Sequence, residues 1–311
     1  MDDPPSRKPL LATPLPGLDD PEGERLPGGL SDVVDAHVHL FPEPLWDAVD
    51  AWFRRHAWPN RYRLDNAGVV DFLLSRGVGH VVALSYAHRP GWARVMNRDL
   101  AAFCADRPRV TGLATVFPGE PGARAILEEG FALGLAGVKL HLHVQAVAVD
   151  DPVMDEIYRC CADHGRPLVV HAGREPKSPA YPRDVYELCG AARIEPVLSR
   201  FPALRLCVPH LGADEYDDFR RLLLTHDNLW LDTAMVLAGF FPYPVPWELL
   251  AARPERVMYG TDFPNIPYAW DRELKRILAR NLDPDTLERI LGGTARALFG
   301  LAPPRPPAGD Q

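Results

Sequence analysis

Residues 33–41 read VVDAHVHLF. A short apolar run with β-branched residues suits a buried strand, yet this one carries two imidazoles one residue apart. Side chains at i and i+2 share a strand face, so His37 and His39 are expected to point the same way. Buried imidazoles need partners for their ring nitrogens. Packing, solvent or a shared cation are the three explanations for such a pair. Asp35 is expected on the same face, one layer deeper, where it would orient a ligand rather than bind a metal.

Seven more β-rich runs follow: HVVALSY (80–86), VTGLATVF (110–117), GVKLHLH (137–143), PLVVHAG (167–173), LRLCVPH (204–210), LWLDTAM (229–235) and RVMYGTDF (256–263). Amphipathic stretches such as PVMDEIYRCCADHG (152–165) and EYDDFRRLLLTHD (215–227) lie between them. Near-continuous apolar strands alternating with helices predict a parallel sheet covered on both sides. Eight such units in about 270 residues predict an α/β fold of the (β/α)8, or TIM, barrel type. PDTLERILGGTARALFG (284–300) predicts a last helix outside the eighth unit. The barrel is expected over residues 31–301. The Pro-rich flanks, residues 1–30 and 302–311, are expected to be flexible or loosely docked tails.

The chain has 311 residues, a net charge of −8, 47% hydrophobic and 24% charged residues, which is ordinary globular composition. The acidic balance argues against nucleic acid as the partner. Five cysteines without regular spacing predict free thiols in a reducing compartment. No stretch has the apolar core of a signal peptide or the ~20 apolar residues of a membrane span. A cytoplasmic protein acting on a small molecule is the expectation, with a homodimer possible.

In this barrel, active-site residues lie at the C-terminal ends of strands. His37, His39, Lys139, His141, His143, His171, His210 and Asp262 all fall there. His37 and His39 from strand one, His171 from strand five and Asp262 from strand eight offer three nitrogens and an oxygen. That set suits one divalent transition metal, Zn2+ first, with Mn2+, Fe2+ or Co2+ as alternatives. The metal would lower the pKa of a bound water toward ~7. His210 is the expected base or oxyanion partner, and Asp262 the expected proton shuttle. His141 and His143 are expected to contact substrate. Lys139, on their face, is expected either there or buried against a carboxylate. Arg174, three residues past His171, would anchor an anionic group of the substrate, or pair with an acidic neighbour. His88, just past strand two, has two readings, a structural side chain first and a pocket-lining one second. Trp92, Asn97, Tyr268 and Trp270 would wall it or pack between helices.

The ordered set DAHVHLF, GVKLHLH, LVVHAG, VPHLG and YGTDFP resembles the amidohydrolase superfamily. It is most similar to the amidohydrolase-related branch that also holds aminocarboxymuconate semialdehyde decarboxylase-like enzymes. The resemblance implies a metal-dependent (β/α)8 barrel, with His37, His39, His171 and Asp262 as ligands and His210 as the activating histidine. Hydrolysis of an amide, lactone or ester of a small, anionic substrate is the first expectation. Non-oxidative decarboxylation is the alternative. A TatD-type phosphodiesterase would need a mid-chain glutamate ligand, for which Glu120 is the near candidate. A non-catalytic barrel would require loss of a ligand.

Overall fold

The computed structural model describes residues 17–303; the expected tail segments 1–16 and 304–311 lie outside the described residues. Eight parallel strands follow one another, each succeeded by helix: β1 (Val34–His39), β2 (His80–Leu84), β3 (Val110–Gly112), β4 (Val138–His141), β5 (Leu168–His171), β6 (Leu206–Val208), β7 (Leu229–Asp232) and β8 (Val257–Met258). They pair in sequence order as β1-β2-β3 and β4 to β8. Parallel bridges join the two groups at both edges, Ala114 with Val138 and Val38 with Phe263. Backbone hydrogen bonds extend each junction, among them Lys139 N–H to the Ala114 carbonyl (2.7 Å) and His39 N–H to the Phe263 carbonyl (2.8 Å). The fold is the expected (β/α)8 barrel.

The apolar residues divide as this architecture demands. Val34, Ala36, Val82, Leu84, Leu113, Val169, Cys207 and Met258 come from strands around the barrel and fill its floor. Ala295, Leu298 and Phe299 of the last helix seal that floor from below. Alternate strand residues, such as Val81, Ala83, Val138, Leu140, Leu168 and Val170, face outward into the larger shell beneath the helices. All five cysteines are free and four are buried.

Every strand appears where the pattern predicts it, but most are shorter. The run at 137–143 leaves the sheet at His141, and Leu142–Gln145 forms a helical turn instead. The run at 256–263 keeps only two ladder residues. The last helix is interrupted by a π segment at Arg289–Gly293. Gly292 permits this close approach, since a Cβ there would stand 2.5 Å from the Asp32 carbonyl. Residues 17–30 lie along the barrel: Asp20 pairs with Arg272 (2.8 Å), Leu26 N–H donates to the Arg76 carbonyl (2.8 Å) and Trp270 Nε1–H to the Gly23 carbonyl (2.9 Å). Trp270 and Tyr268 are fully buried and pack between elements. No helix among the described residues is long and apolar enough to cross a membrane.

His80 lies at the start of β2, where its Nε2 meets Thr111 Oγ1 at 2.8 Å. Burial first, and Arg296 second, pull its pKa from 6.5 down to about 4. The folded state therefore favours the neutral ring. Its contribution to stability is complete above pH 6.5 and drains away as pH falls toward 4. His80→Gln should remove this proton linkage. Denaturant midpoints at pH 8 and pH 5 should then differ by less than in the parent, by roughly 2 kcal/mol of unfolding free energy.

Candidate metal centre and active site

β1 does not alternate strictly. Its pairing with β2 shifts register between Asp35 and Val38, a bulge that places an extra residue in the strand. Val34 and Ala36 both face the barrel floor, so Asp35 between them leaves the face of the histidines. Its carboxylate instead takes the Thr261 hydroxyl (2.6 Å), the Thr261 N–H (3.1 Å) and the His37 N–H (3.2 Å). The expectation that Asp35 sits beneath the imidazoles is corrected on this point. It holds the turn that carries Asp262.

That turn brings a carboxylate over the pair. Asp262 Oδ1 lies 2.9 Å from His39 Nε2 and 3.8 Å from His37 Nε2, and the two Nε2 atoms are 3.3 Å apart. A Cβ on Gly260 would stand 2.7 Å from the His37 Cβ, so a glycine is needed where the β8 segment crosses β1. Asp262 has φ +70°, a left-handed conformation that costs free energy outside glycine and collects at functional sites. Burial opposes its charge, but the His39 hydrogen bond and the nearby His37 and His210 hold its carboxyl well below the usual range.

A residue the sequence reading passed over organises the pair from behind. Asp232, the last residue of β7, accepts the His37 Nδ1–H at 2.8 Å. It also accepts the backbone N–H groups of His210 and Ala234, both at 3.1 Å. With Nδ1 spent on Asp232, the His37 Nε2 carries a lone pair toward His39. Burial draws the His37 pKa down to about 4 and lowers that of His39. Two ring nitrogens and a carboxylate oxygen thus converge with too few protons to satisfy one another. Three donors around one Zn2+ at about 2.0–2.1 Å would stand about 3.3–3.4 Å apart at tetrahedral angles. The observed spacings of 2.9, 3.3 and 3.8 Å bracket that value. The donor set fits a divalent cation.

The other expected residues surround this group. His210 is fully buried, and its Nδ1–H donates to the Ala234 carbonyl (2.8 Å), while its Nε2 has no partner. Its ring lies 5.6 Å from that of His37 and 4.7 Å from that of His171. His171 stands apart from the three-atom group: its Nε2 is 3.0 Å from the Glu175 carbonyl, and its ring stacks on His141 at 4.1 Å. His143 packs on His171 (4.5 Å) and bonds the Gly173 carbonyl (2.8 Å). His141 and His143 do not share a strand face as expected, because β4 ends between them, yet both reach the same histidine cluster. Lys139 is fully buried and its Nζ has no hydrogen-bond partner. Burial lowers its pKa to about 8 against the pull of Asp232 and Asp262. Its expected carboxylate partner is therefore an electrostatic neighbour rather than an ion pair.

Arg174 is corrected more strongly. Its Nε bonds Asp214 (2.8 Å) and lies 3.2 Å from Glu215, and its guanidinium covers the Tyr186 ring. Two carboxylates already balance the charge expected to anchor substrate. Neither is the Glu175 or Asp184 that sequence proximity suggests, because the partners come from the loop after β6. Asn97 is also structural, clamping the Thr115 backbone on both sides.

Beside the donor group opens a cleft of about 320 Å³ whose lining includes Phe41, Trp52, Tyr86, His88, His141 and Tyr181. His88 lines it, the second of its two readings, and Trp92 backs His88 at 5.1 Å. Phe41 stacks parallel to His39 (5.6 Å, 3°) and Tyr86 meets His39 edge-on (5.7 Å, 89°), so these two lining residues stand between the cleft and the donor group. A second hollow, of about 400 Å³, lies by the last helices among Glu255, Asp285, Glu288 and Arg289, and holds none of these groups.

The amidohydrolase family model matches residues 34–301. No curated protein matches the chain in sequence. Solved structures share its fold. An uncharacterised TIM-barrel protein from Bordetella bronchiseptica is 21% identical with a TM-score of 0.66, covering 87% of this chain and 99% of its own. A 5-carboxyvanillate decarboxylase from Novosphingobium aromaticivorans, complexed with manganese and 4-hydroxy-3-methoxy-5-nitrobenzoic acid, is 17% identical with a TM-score of 0.66, covering 89% and 99%. A candidate 2-pyrone-4,6-dicarboxylic acid hydrolase from Pseudomonas putida is 21% identical with a TM-score of 0.58, covering 88% and 99%. Enzymes of this superfamily use a divalent metal.

Asp232→Asn tests the donor group directly. It should lower metal affinity about 10–100-fold, as loss of a partner behind a ligating histidine does. Chelator competition on reconstituted protein measures it, and an unchanged affinity would remove His37 from the ligand set. The motif order, the barrel and the family match agree: the chain belongs to the amidohydrolase family, in its amidohydrolase-related branch.

Proposed function

We propose that the chain is a metal-dependent enzyme that removes carbon dioxide from a small planar unsaturated acid. The observation that carries this reading is the aromatic cleft beside His39, whose lining residues Phe41 and Tyr86 pack on that imidazole, one parallel to it and one across its edge. Flat aromatic walls favour a flat ring or conjugated acid. The fold likeness to an aromatic-acid decarboxylase with manganese supports it.

His37, His39 and Asp262 would hold the cation, with Zn2+ the first candidate for this donor set and Mn2+ next. Bound there, it would supply Lewis acidity toward substrate oxygens. The remaining work falls to the chain. Phe41 and Tyr86 orient the ring. The apolar walls strip water from the carboxylate, whose localised charge loses more solvation than the dispersed charge of the transition state. Asp262 is held ionised and is a poor proton donor. His210, anchored through Nδ1–H, presents its Nε2 lone pair to the interior, and a proton taken up there from solvent is the one it would deliver. As the bond between ring carbon and carboxylate breaks, its electron pair takes that proton and carbon dioxide leaves. Hydrolysis, the first expectation from sequence, stays as the second reading. The same free Nε2 could take a proton from a water attacking a lactone or ester carbonyl.

Protein loaded with Zn2+ or Mn2+ should release carbon dioxide from members of a panel of hydroxylated benzoates and conjugated acids. Chelation should abolish release and metal should restore it. If the acids persist while planar lactones or esters are opened, decarboxylation falls and hydrolysis stands. In either case His210→Gln should retain metal and lose about 10²–10⁴-fold in kcat.

A further inference from the structure

The first helix after β1, α1 (Glu43–His56), is amphipathic, yet none of its residues is fully buried. Leu45, Val49, Trp52 and Phe53 stand at i, i+4, i+7 and i+8, one face of a helix. Each is half-buried and lines the cleft; Leu45 also packs against the closed core, whereas Val49, Trp52 and Phe53 roof the cleft. The outer end of the roof is fastened. Trp52 packs on Tyr181 of the loop after β5 (5.2 Å, 31°), and Ser178 Oγ–H donates to the His56 carbonyl (3.0 Å). The cleft has two chemically distinct ends. His141 and Tyr86, which touch each other at 4.7 Å, face the ligands. Beyond them its lining is apolar or aromatic apart from His88, with no lysine or arginine. Its volume of about 320 Å³ falls in the range of sites that bind drug-sized molecules rather than a lone ring.

We propose that this cleft selects a monoacid bearing an apolar arm, alkyl or aryl, that lies under α1, with Trp52 and Tyr181 as specificity residues. The proposal rests on the reading above that the acid group is held at His37, His39 and Asp262. A second carboxylate on the arm would be buried without a cationic partner, which is costly. An apolar arm gains about fourfold in affinity for each methylene fully buried.

The test is equilibrium binding to metal-loaded protein, by calorimetry, of benzoate, 4-butylbenzoate, terephthalate and the neutral 4-butylbenzamide. The 4-butyl acid should bind at least tenfold tighter than benzoate, and terephthalate no tighter. Trp52→Ala, at a half-buried position, should erase most of that ratio; because both affinities come from one variant, general damage cancels. Val49→Phe, which fills the cleft, should do the same from the opposite direction. Equal affinity for benzoate and 4-butylbenzoate would overturn the proposal. So would a Trp52→Ala variant that changes oligomeric state by light scattering while keeping the ratio, since α1 would then face a second copy of the chain. If 4-butylbenzamide binds as tightly as the acid and loses affinity in Trp52→Ala, the apolar arm stands and the acid reading beneath it fails.

Discussion

The Asp232 carboxylate is the contact on which the site depends. One oxygen takes the His37 Nδ1–H, and the other takes the backbone N–H groups of His210 and Ala234. The Ala234 carbonyl in turn takes the His210 Nδ1–H. A single side chain at the end of β7 therefore sets the tautomer of a residue on β1 and the backbone of one after β6. Both rings are left with Nε2 facing inward. A buried charge is expensive unless its lone pairs are used, and here three donors use them. Burial still opposes ionisation of Asp232, and the surrounding His37, His210 and Lys139 hold its carboxyl below the ordinary value.

This arrangement comes with backbone strain at two positions of the candidate site. His210 (φ +57°) and Asp262 (φ +70°) both adopt left-handed backbone without being glycine, at about 1–3 kcal/mol each. Both follow strands that end early, β6 at Val208 and β8 at Met258. Leaving the ladder lets the chain turn in over the barrel mouth. Asp262 N–H donates to the His37 carbonyl (2.9 Å), and Asp35 secures Thr261 just before it. The strain and the hydrogen bonds that offset it belong to the same few residues, at the ends of strands six and eight where the candidate site lies.

Much of this was legible in the sequence, and the failures have physical causes. Eight apolar runs with helical spacing between them sufficed for the barrel, because parallel strands buried on both faces leave a strong local signal. His37, His39 and Asp262 followed from their places at strand ends. Period two failed for Asp35, because a bulge in β1 is set by pairing with β2 and by crossing near Gly260, neither of them a local property. Asp232 carried the same signal as Asp262, an acid closing an apolar strand in LWLDTAM, and went unread because no histidine stood beside it. Arg174 misled because sequence offers only near neighbours as ion partners, whereas Asp214 is forty residues on. The shape of the cleft had no signature until α1 could be seen to roof it.

Charge links the centre to its substrate. Burial keeps the histidines His37, His39, His141, His143 and His171 neutral near pH 7 by lowering their pKa values. Asp232 and Asp262 remain ionised, and Lys139, depressed to about 8, is still largely an ammonium. These three groups, with Asp35 raised to about 7 by burial beside them, leave an excess of negative charge in a medium that tolerates it poorly. A divalent cation would reverse the excess, and the carboxylate of the proposed substrate would balance it. A second carboxylate would reopen the imbalance, and the cleft beyond His141 offers no lysine or arginine to close it. On the proposed reading, electrostatics at the ligands and apolarity beneath α1 would select for the same molecule, an acid charged at one end only.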